Sequence, residues 1–368
     1  MNYEPLMKRA LELALRGTGY VSPNPRVGAL IIDNNGKIIA EGWHKFFGGP
    51  HAEVEAINMT NLPSFENYTL IVTMEPCNFY GKTPPCTDLI IEKKFSKVVI
   101  GALDPNPKVN GQGVEKLRSA GIEVITGVLE DECNHLNRYF AKFINLKKPF
   151  IILKIAQTLD GNIALKNGQS KWISSEESRL KVQELRTDID AILVGKNTIL
   201  MDNPFLTVRD FDAPNPKKVI LDAELALPLD LNIFKNPQRE STILFCSKPA
   251  SKSRKANTLS LVGIKIEAIT NNEFGFLNLN DVLSILSEKY NVASLMVEGG
   301  SQVFTSFIKE NLVDEFHIFI APKILGAGLQ VFSHLMIPSI NQASELDIVN
   351  FEKTGPDFHI TAKLKNKS

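Results

Sequence analysis

GWHKFFGGPHAE (42–53) and MEPCNFYGKTPPC (74–86) decide how this chain is read. His51, Cys77 and Cys86 offer one nitrogen and two sulfurs. That is the donor set of a catalytic zinc, which keeps its fourth position open for water. Base deaminases join such a set to a glutamate that is not a ligand, and Glu53 stands two residues after His51. Zinc lowers the pKa of its water. Glu53 can then take the water proton and deliver it to the ring nitrogen and the leaving ammonia. A structural zinc would want a fourth protein ligand; the nearest histidine is His44, seven residues before His51. The usual deaminase spacing is PCxxC, whereas eight residues separate Cys77 from Cys86. That insert holds Gly81, Lys82 and Thr83, a polar turn whose single positive charge, on Lys82, suits a substrate phosphate.

Outward from these motifs, apolar β-rich runs alternate with amphipathic helical stretches, an α/β pattern. Strands are expected at 27–32, 37–42, 69–74, 97–103 and 123–128, with helices at 4–16, 51–60, 84–94, 112–120 and 130–145. INLKKPF (144–150) sets two lysines and Pro149 between a helix and the apolar run FIILKIA, a junction signal. The chain is therefore expected to divide into 1–147 and 148–368. The second part offers strands at 150–157, 190–195, 218–222, 242–246, 293–297, 315–320 and 358–364, and helices at 175–187, 280–290 and 301–310.

Of 368 residues, 43% are hydrophobic and 22% charged, which excludes a mainly disordered chain. Lys+Arg and Asp+Glu are both 41, and zero net charge speaks against a protein that tracks nucleic acid. No apolar run reaches the ~18 residues of a spanning helix. The spacing of Leu6, Ala10, Leu13 and Ala14 gives an amphipathic N-terminal helix rather than a secretory leader. A cytoplasmic protein without membrane or nucleic-acid partners is expected. Cys133 and Cys246 are expected as packed thiols. His135, His317, His334 and His359 lack a Cys or His partner at ligand spacing. No GxGxxG opens a helix after a strand. Cofactor binding rests instead on MVEGGSQVF (296–304), where strand SLMV runs into Glu298-Gly299-Gly300 and a helix starts at Ser301. Glycines let a phosphate approach the backbone, and free N–H groups at a helix start favour an anion; the alternative is a plain strand-to-helix turn.

SPNPRVGALI (22–31) and DPNPKVNGQG (104–113) join the two opening motifs. LKIAQTLDGNIA (153–164), GQSKWISS (168–175), DNPFLTVR (202–209) and VEGGSQVF (297–304) follow in order. Together they resemble the bifunctional deaminase/reductase family of riboflavin biosynthesis over nearly the whole chain. The resemblance implies an N-terminal cytidine-deaminase-like α/β/α domain with a zinc site and a C-terminal dihydrofolate-reductase-like α/β domain. It implies hydrolytic loss of the 2-amino group of 2,5-diamino-6-ribosylamino-4(3H)-pyrimidinone 5′-phosphate, then NADPH-dependent reduction of the ribosyl chain to ribityl. Position by position, His51, Cys77 and Cys86 match the zinc ligands and Glu53 the proton carrier. NADPH contacts fall on Ala156, Trp172, Thr198, Asp202 and the run Gly300, Ser301, Gln302, Val303, Phe304, Thr305 and Ser306. Substrate contacts fall on Ser170, Arg186, Leu206, Arg209, Glu298 and Asn24, and a homo-oligomer is implied. Arg186 and Arg209 suit a ribose phosphate, because guanidinium binds phosphate bidentately. Lys154 and Asp160 flank the expected cleft. Asn78-Phe79 stands where most members have Ser-His, a change that touches no ligand. A tRNA or nucleoside deaminase with a binding domain, and a non-enzymatic protein with structural zinc, are the competing readings.

Overall fold

The computed structural model describes residues 1–80, 84–107, 109–272 and 275–365. The chain forms two compact units, Met1–Lys148 and Pro149–Ser368.

In the first unit, β1 (Gly28–Asp33), β2 (Ile38–Trp43), β3 (Tyr68–Met74), β4 (Lys97–Ala102) and β5 (Glu123–Thr126) form one sheet in the order β2-β1-β3-β4-β5. β1 runs antiparallel to both its neighbours, and β3, β4 and β5 are parallel. The helices are α1 (Glu4–Leu15), α2 (Ala52–Asn58), α3 (Cys86–Glu92), α4 (Gln112–Ser119), α5 (Glu130–Leu136) and α6 (Arg138–Leu146). Side chains alternate between the two faces of a strand. Ala29, Ile31, Val72 and Ile100 pack with Ala52, Ala56, Ile90 and Leu117 on one face. Leu30, Ile32, Ile71 and Val99 pack with Met7, Ala10 and Leu13 on the other. Gly42 brings α2 onto β2: a Cβ there would stand 2.4 Å from both Ala52 O and Ala56 N. That contact fixes where the residue before α2, His51, begins.

The helix expected over 130–145 is broken into α5 and α6 at Asn137, whose φ and ψ are −106° and 20°. Its buried side chain accepts from Arg26 N at 2.8 Å and donates to Arg26 O at 2.9 Å. One amide thus satisfies both backbone groups of the residue two before β1. This tertiary pairing outweighs an apolar pattern that runs without interruption through the break.

The second unit holds β6 (Phe150–Thr158), β7 (Asn162–Ala164), β8 (Ala191–Gly195), β9 (Lys217–Leu221), β10 (Thr242–Ser247), β11 (Lys265–Ile269), β12 (Ser294–Glu298), β13 (Glu315–Ala321), β14 (Leu329–Gln330), β15 (Leu346–Thr354) and β16 (Asp357–Leu364). Its helices are α7 (Glu176–Thr187), α8 (Lys196–Asp202), α9 (Asn232–Lys235), α10 (Lys248–Ser251), α11 (Arg254–Leu261), α12 (Leu279–Tyr290) and α13 (Ser301–Lys309). The main sheet runs β11-β10-β9-β8-β12-β6-β13-β16-β15. The strands from β11 to β13 in that order are parallel, and β16 and β15 close the edge as an antiparallel hairpin. From β6 the chain moves outward through β8 to β11, then returns to insert β12 between β8 and β6. In such sheets the strand order reverses at a crevice beyond the carboxyl ends, where ligands bind.

β7, β11, β14 and β15 lie outside the expected strands. Most of β15 is exposed, so pairing with β16 holds it and no burial pattern marks it. Cys133 and Cys246 are buried free thiols. His317 and His359 hydrogen-bond ring to ring at 3.0 Å, and Glu315 and Glu352 each contact one ring at 3.0 and 2.9 Å. Among the described residues no helix is long and apolar enough to cross a membrane.

N137A should destabilise the first unit by about 2 kcal/mol, because it strips partners from two buried backbone groups. Urea unfolding in a W172F background, with Trp43 reporting the first unit, measures this; an unchanged midpoint would refute the pairing.

Candidate active site

A strand end and two helix starts converge in the first unit. Cys77 lies just beyond β3, Cys86 opens α3, and His51 is the extended residue before α2, with φ −74° and ψ 163°. Lying outside the helical turn, the His51 ring is free to meet the sulfurs: its Nδ1 is 3.2 Å from Cys86 Sγ and 3.5 Å from Cys77 Sγ. Tetrahedral zinc, with bonds of about 2.1 Å to nitrogen and 2.3 Å to sulfur, sets N···S edges near 3.6 Å. The three donor atoms lie within 4.8 Å of one another, and among the described residues they are the one such His/Cys/Asp/Glu group. The residues therefore fit a zinc ion. A hydrogen bond from Cys86, opposed by burial and helped by His51, pulls the Cys77 thiol down to about 4. Thiolate is the form that binds metal.

Glu53, in the first turn of α2, is 3% exposed. Burial pushes its carboxyl above the usual range, and the His51 charge offsets this only in part. A carboxyl raised toward neutrality suits an acid–base role. His44 is no fourth ligand. Its Nδ1 meets Pro50 O at 2.8 Å and its Nε2 meets Asn24 Nδ2 at 3.3 Å. The carbonyl can only accept, so Nδ1 carries the proton and Nε2 accepts from Asn24. His44 also packs edge-on against the His51 ring, 5.6 Å between centroids. It was weighed from sequence only as a ligand; its link to Asn24 needed the fold. Lys82 lies outside the described residues.

In the second unit, the carboxyl ends of β6, β8 and β12 gather most of the expected residues. Ala156 is half-buried on β6, and Thr198 sits on α8, just after β8. Gly299 and Gly300 have φ of 78° and 85°, a region glycine enters without strain. A Cβ on Gly299 would stand 2.7 Å from Thr198 Oγ1, so the two expected cofactor segments are in contact. The first N–H groups of a helix have no intrahelical partner. Those of Ser301, Gln302 and Val303 follow a cradle that any side chain would fill, which fits a cofactor phosphate.

Other expected residues of this unit are held by their own neighbours. Phe304 is 2% exposed in the core and its N–H already bonds Gly300 O; Thr305 is buried, and the Ser306 hydroxyl bonds Gln302 O. Leu206 is 4% exposed and its φ is 52°. Arg186 forks onto Glu298: Nε and Nη2 bind its two oxygens at 2.9 and 3.0 Å, and Nη1 binds Thr207 O at 3.0 Å. Asp160 is a loop clasp, accepting from Thr158 Oγ1 at 2.5 Å, Gly326 N at 2.7 Å and Leu325 N at 3.1 Å. The Thr158 hydrogen bond is the main reason its carboxyl sits at about 2.

Ser170 donates to Asp202 Oδ1 at 3.0 Å, joining an expected substrate residue to an expected cofactor residue. Trp172 is 60% exposed, with the Arg179 guanidinium 4.6 Å above its ring, so it is no core residue. The Arg209 side chain is exposed and makes no ion pair among the described residues. Lys154 Nζ lies 3.8 Å from Glu298 Oε2. Burial lowers the Lys154 ammonium, and Glu298 resists that shift.

Fold and site together define a zinc-dependent deaminase joined in one chain to a nucleotide-dependent reductase. Residues 1–102 match the cytidine and deoxycytidylate deaminase zinc-binding region, and residues 149–360 match the RibD C-terminal domain. The riboflavin biosynthesis protein RibD of Aquifex aeolicus is 44% identical over 97% of both chains. That of Bacillus amyloliquefaciens is 39% identical over 99% of this chain and 96% of its own. The structure of the Thermotoga maritima diaminohydroxyphosphoribosylaminopyrimidine deaminase/5-amino-6-(5-phosphoribosylamino)uracil reductase superposes with a TM-score of 0.87, at 42% identity over 99% of both chains. Acinetobacter baumannii RibD gives 0.89 at 32% identity, again over 99% of both. The chain belongs to the RibD family, bifunctional enzymes of riboflavin biosynthesis with a zinc deaminase and an NADPH-using reductase.

Glu298 yields a pH prediction. Burial alone would raise its carboxyl, but the Arg186 and Lys154 charges and the Arg186 hydrogen bonds outweigh it and hold the group at about 2. A carboxyl depressed in the folded state contributes stability above its unfolded value and loses it as pH falls toward 2. R186M should cost about 3 kcal/mol at neutral pH, since it strands a buried charge, and should shift acid unfolding of the second unit to higher pH. Far-UV circular dichroism against pH measures this; coincident acid transitions would refute it.

Proposed function

We propose that the chain acts twice on one phosphorylated pyrimidine. In the first step 2,5-diamino-6-ribosylamino-4(3H)-pyrimidinone 5′-phosphate exchanges its 2-amino group for a water oxygen and ammonia leaves. In the second, hydride adds to C1′ of the ribosyl group and a proton to the oxygen freed as the ring opens, giving 5-amino-6-(5-phospho-D-ribitylamino)uracil. The observation that carries the reading is the His51–Cys77–Cys86 cluster with buried Glu53 beside it.

Residues 1–147 are assigned the first step, with His51, Cys77 and Cys86 as zinc ligands. Zinc there supplies a water whose pKa is brought near neutrality. Glu53 takes the water proton and returns it to the pyrimidine ring nitrogen and then to the amine. Asn24, oriented by His44, presents its free carbonyl oxygen to the pyrimidine or its ribose, and Lys82 is assigned the phosphate.

Residues 148–368 are assigned the second step. NADPH supplies the hydride. Thr198 and the run Gly300–Ser306, led by the open start of α13, hold its phosphates, while Ala156, Trp172 and Asp202 fix its nicotinamide end. Ser170, Arg186, Leu206, Arg209 and Glu298 bind the substrate, with the exposed Arg209 guanidinium taking its phosphate. Lys154, buried against Glu298, holds the proton for the opening ring. The enzyme is assigned to the cytoplasm, as a homo-oligomer with neither nucleic acid nor membrane as partner.

Purified protein given the diaminopyrimidine should release ammonia without NADPH and gain two hydrogens when NADPH is added, as read by mass spectrometry. E53Q should slow ammonia release by at least ~10²-fold and leave reduction of pre-deaminated substrate unchanged. Ammonia release by E53Q at the wild-type rate would sink the assignment.

A further inference from the structure

Glu75 stands two residues before Cys77, buried at 4% exposure, and nothing above gives it a role. Its carboxylate accepts four backbone N–H groups. Oε1 takes those of Gly113 at 2.9 Å and Val114 at 3.1 Å; Oε2 takes those of Asp104 at 3.1 Å and Gly111 at 3.0 Å. Gly111 immediately precedes α4, has φ of 78°, and offers no side chain to cap the helix. Gly113 and Val114 belong to the first turn of α4, whose N–H groups otherwise lack partners. An anion from a different strand therefore does the capping. The same anion binds Asp104, at the opposite end of the segment.

The segment also rests on the metal-bearing strand end itself. A Cβ on Gly113 would stand 2.4 Å from Pro76 O and 3.0 Å from Glu75 Oε1. Asn78, the residue after Cys77, donates from Nδ2 to Gln112 Oε1 at 3.2 Å. Contacts before and after Cys77 thus tie the start of α4 to the strand end that carries a metal ligand. Four hydrogen bonds are far more than solubility or packing of one glutamate requires, and they serve two chain ends at once.

We infer that Glu75 is a positioning residue for the deamination step, fixing Asp104 and the start of α4 (Gly111–Val114) as a wall beside the metal ligands. This rests on the proposed function. Glu75 contacts no reacting atom; it sets the height of the wall, so it governs how well the pyrimidine is held rather than whether metal binds.

E75Q in the zinc-loaded full chain tests it. Glutamine keeps the shape, but its NH2 cannot accept, so two of the four N–H groups face a donor. Expected are a KM for ammonia release raised about tenfold with kcat within about twofold, unchanged zinc content by mass spectrometry, and unchanged reductase kinetics on pre-deaminated substrate. Amide hydrogen exchange should quicken across 104–114. An unaltered KM with only a lowered melting temperature would make Glu75 merely structural. Loss of zinc would mean that it acts through Cys77. Either result overturns the inference, as does unchanged exchange. Wild-type protein that releases no ammonia would instead overturn the proposed function. Should E75Q fail to fold, G113A carries the test. Its methyl displaces the same wall from Pro76 O with Glu75 intact, and it must show the same KM rise.

Discussion

One nitrogen and two sulfurs have to be held a few ångströms apart, and the first unit is arranged around that demand. The donors come from three places in the chain, and each is fixed by backbone rather than by its own side chain. Cys77 is carried at the end of a buried parallel strand, and Cys86 opens a helix after two prolines. His51 stands at the start of a helix that reaches β2 only because Gly42 leaves room. The Cys77 sulfur accepts the backbone N–H of Cys86, at the start of α3, at 3.4 Å. Gly113 and Asn78 lock the cysteine-bearing loop to its neighbouring segment in turn. The ligand set is therefore the junction at which the main elements of the first unit meet.

The second unit meets a different problem, a carboxylate in a place that disfavours charge. Glu298 lies at the carboxyl end of a central strand, where desolvation costs an isolated anion several kcal/mol. Arg186 answers with a two-pronged bond, and Lys154 adds a second charge from the next strand. The result is a cleft wall whose one carboxylate is compensated by two cations before any substrate arrives, beside a glycine cradle that leaves helix N–H groups open. Hydride transfer asks for orientation and exclusion of water. Water is itself the reactant of deamination, so the two steps make opposite demands on solvent and use separate units.

The linear pattern carried a good deal of this. Strands β1, β3, β4 and β6 announce themselves as apolar runs, because a strand buried on both faces needs them. HAE, EPC and PPC are short enough for local geometry to set most of the ligand spacing. Glycines at 299 and 300 mark a close approach whatever their surroundings. Such features are legible because each depends on a few neighbouring residues.

What lay beyond the sequence depends on partners distant along the chain. Asn137 looks like any helical polar residue until it meets Arg26, 111 positions earlier. Nothing near Arg186 in the sequence announces that its fork meets Glu298, 112 residues on. His317 and His359 have no partner at any ligand spacing, yet lie 3.0 Å apart because β13 pairs with β16. Glu75 reads as a spacer before Cys77, and only the return of the chain after β4 gives its carboxylate four donors. By itself the sequence determined the chemistry available: a soft metal site, an acid beside it, a backbone cradle for phosphate. Tertiary structure decided which charged groups are already spent on one another and which remain for a ligand. Hydrogen bonds and ion pairs are saturable and short-ranged, so that division exists only once distant segments are in contact.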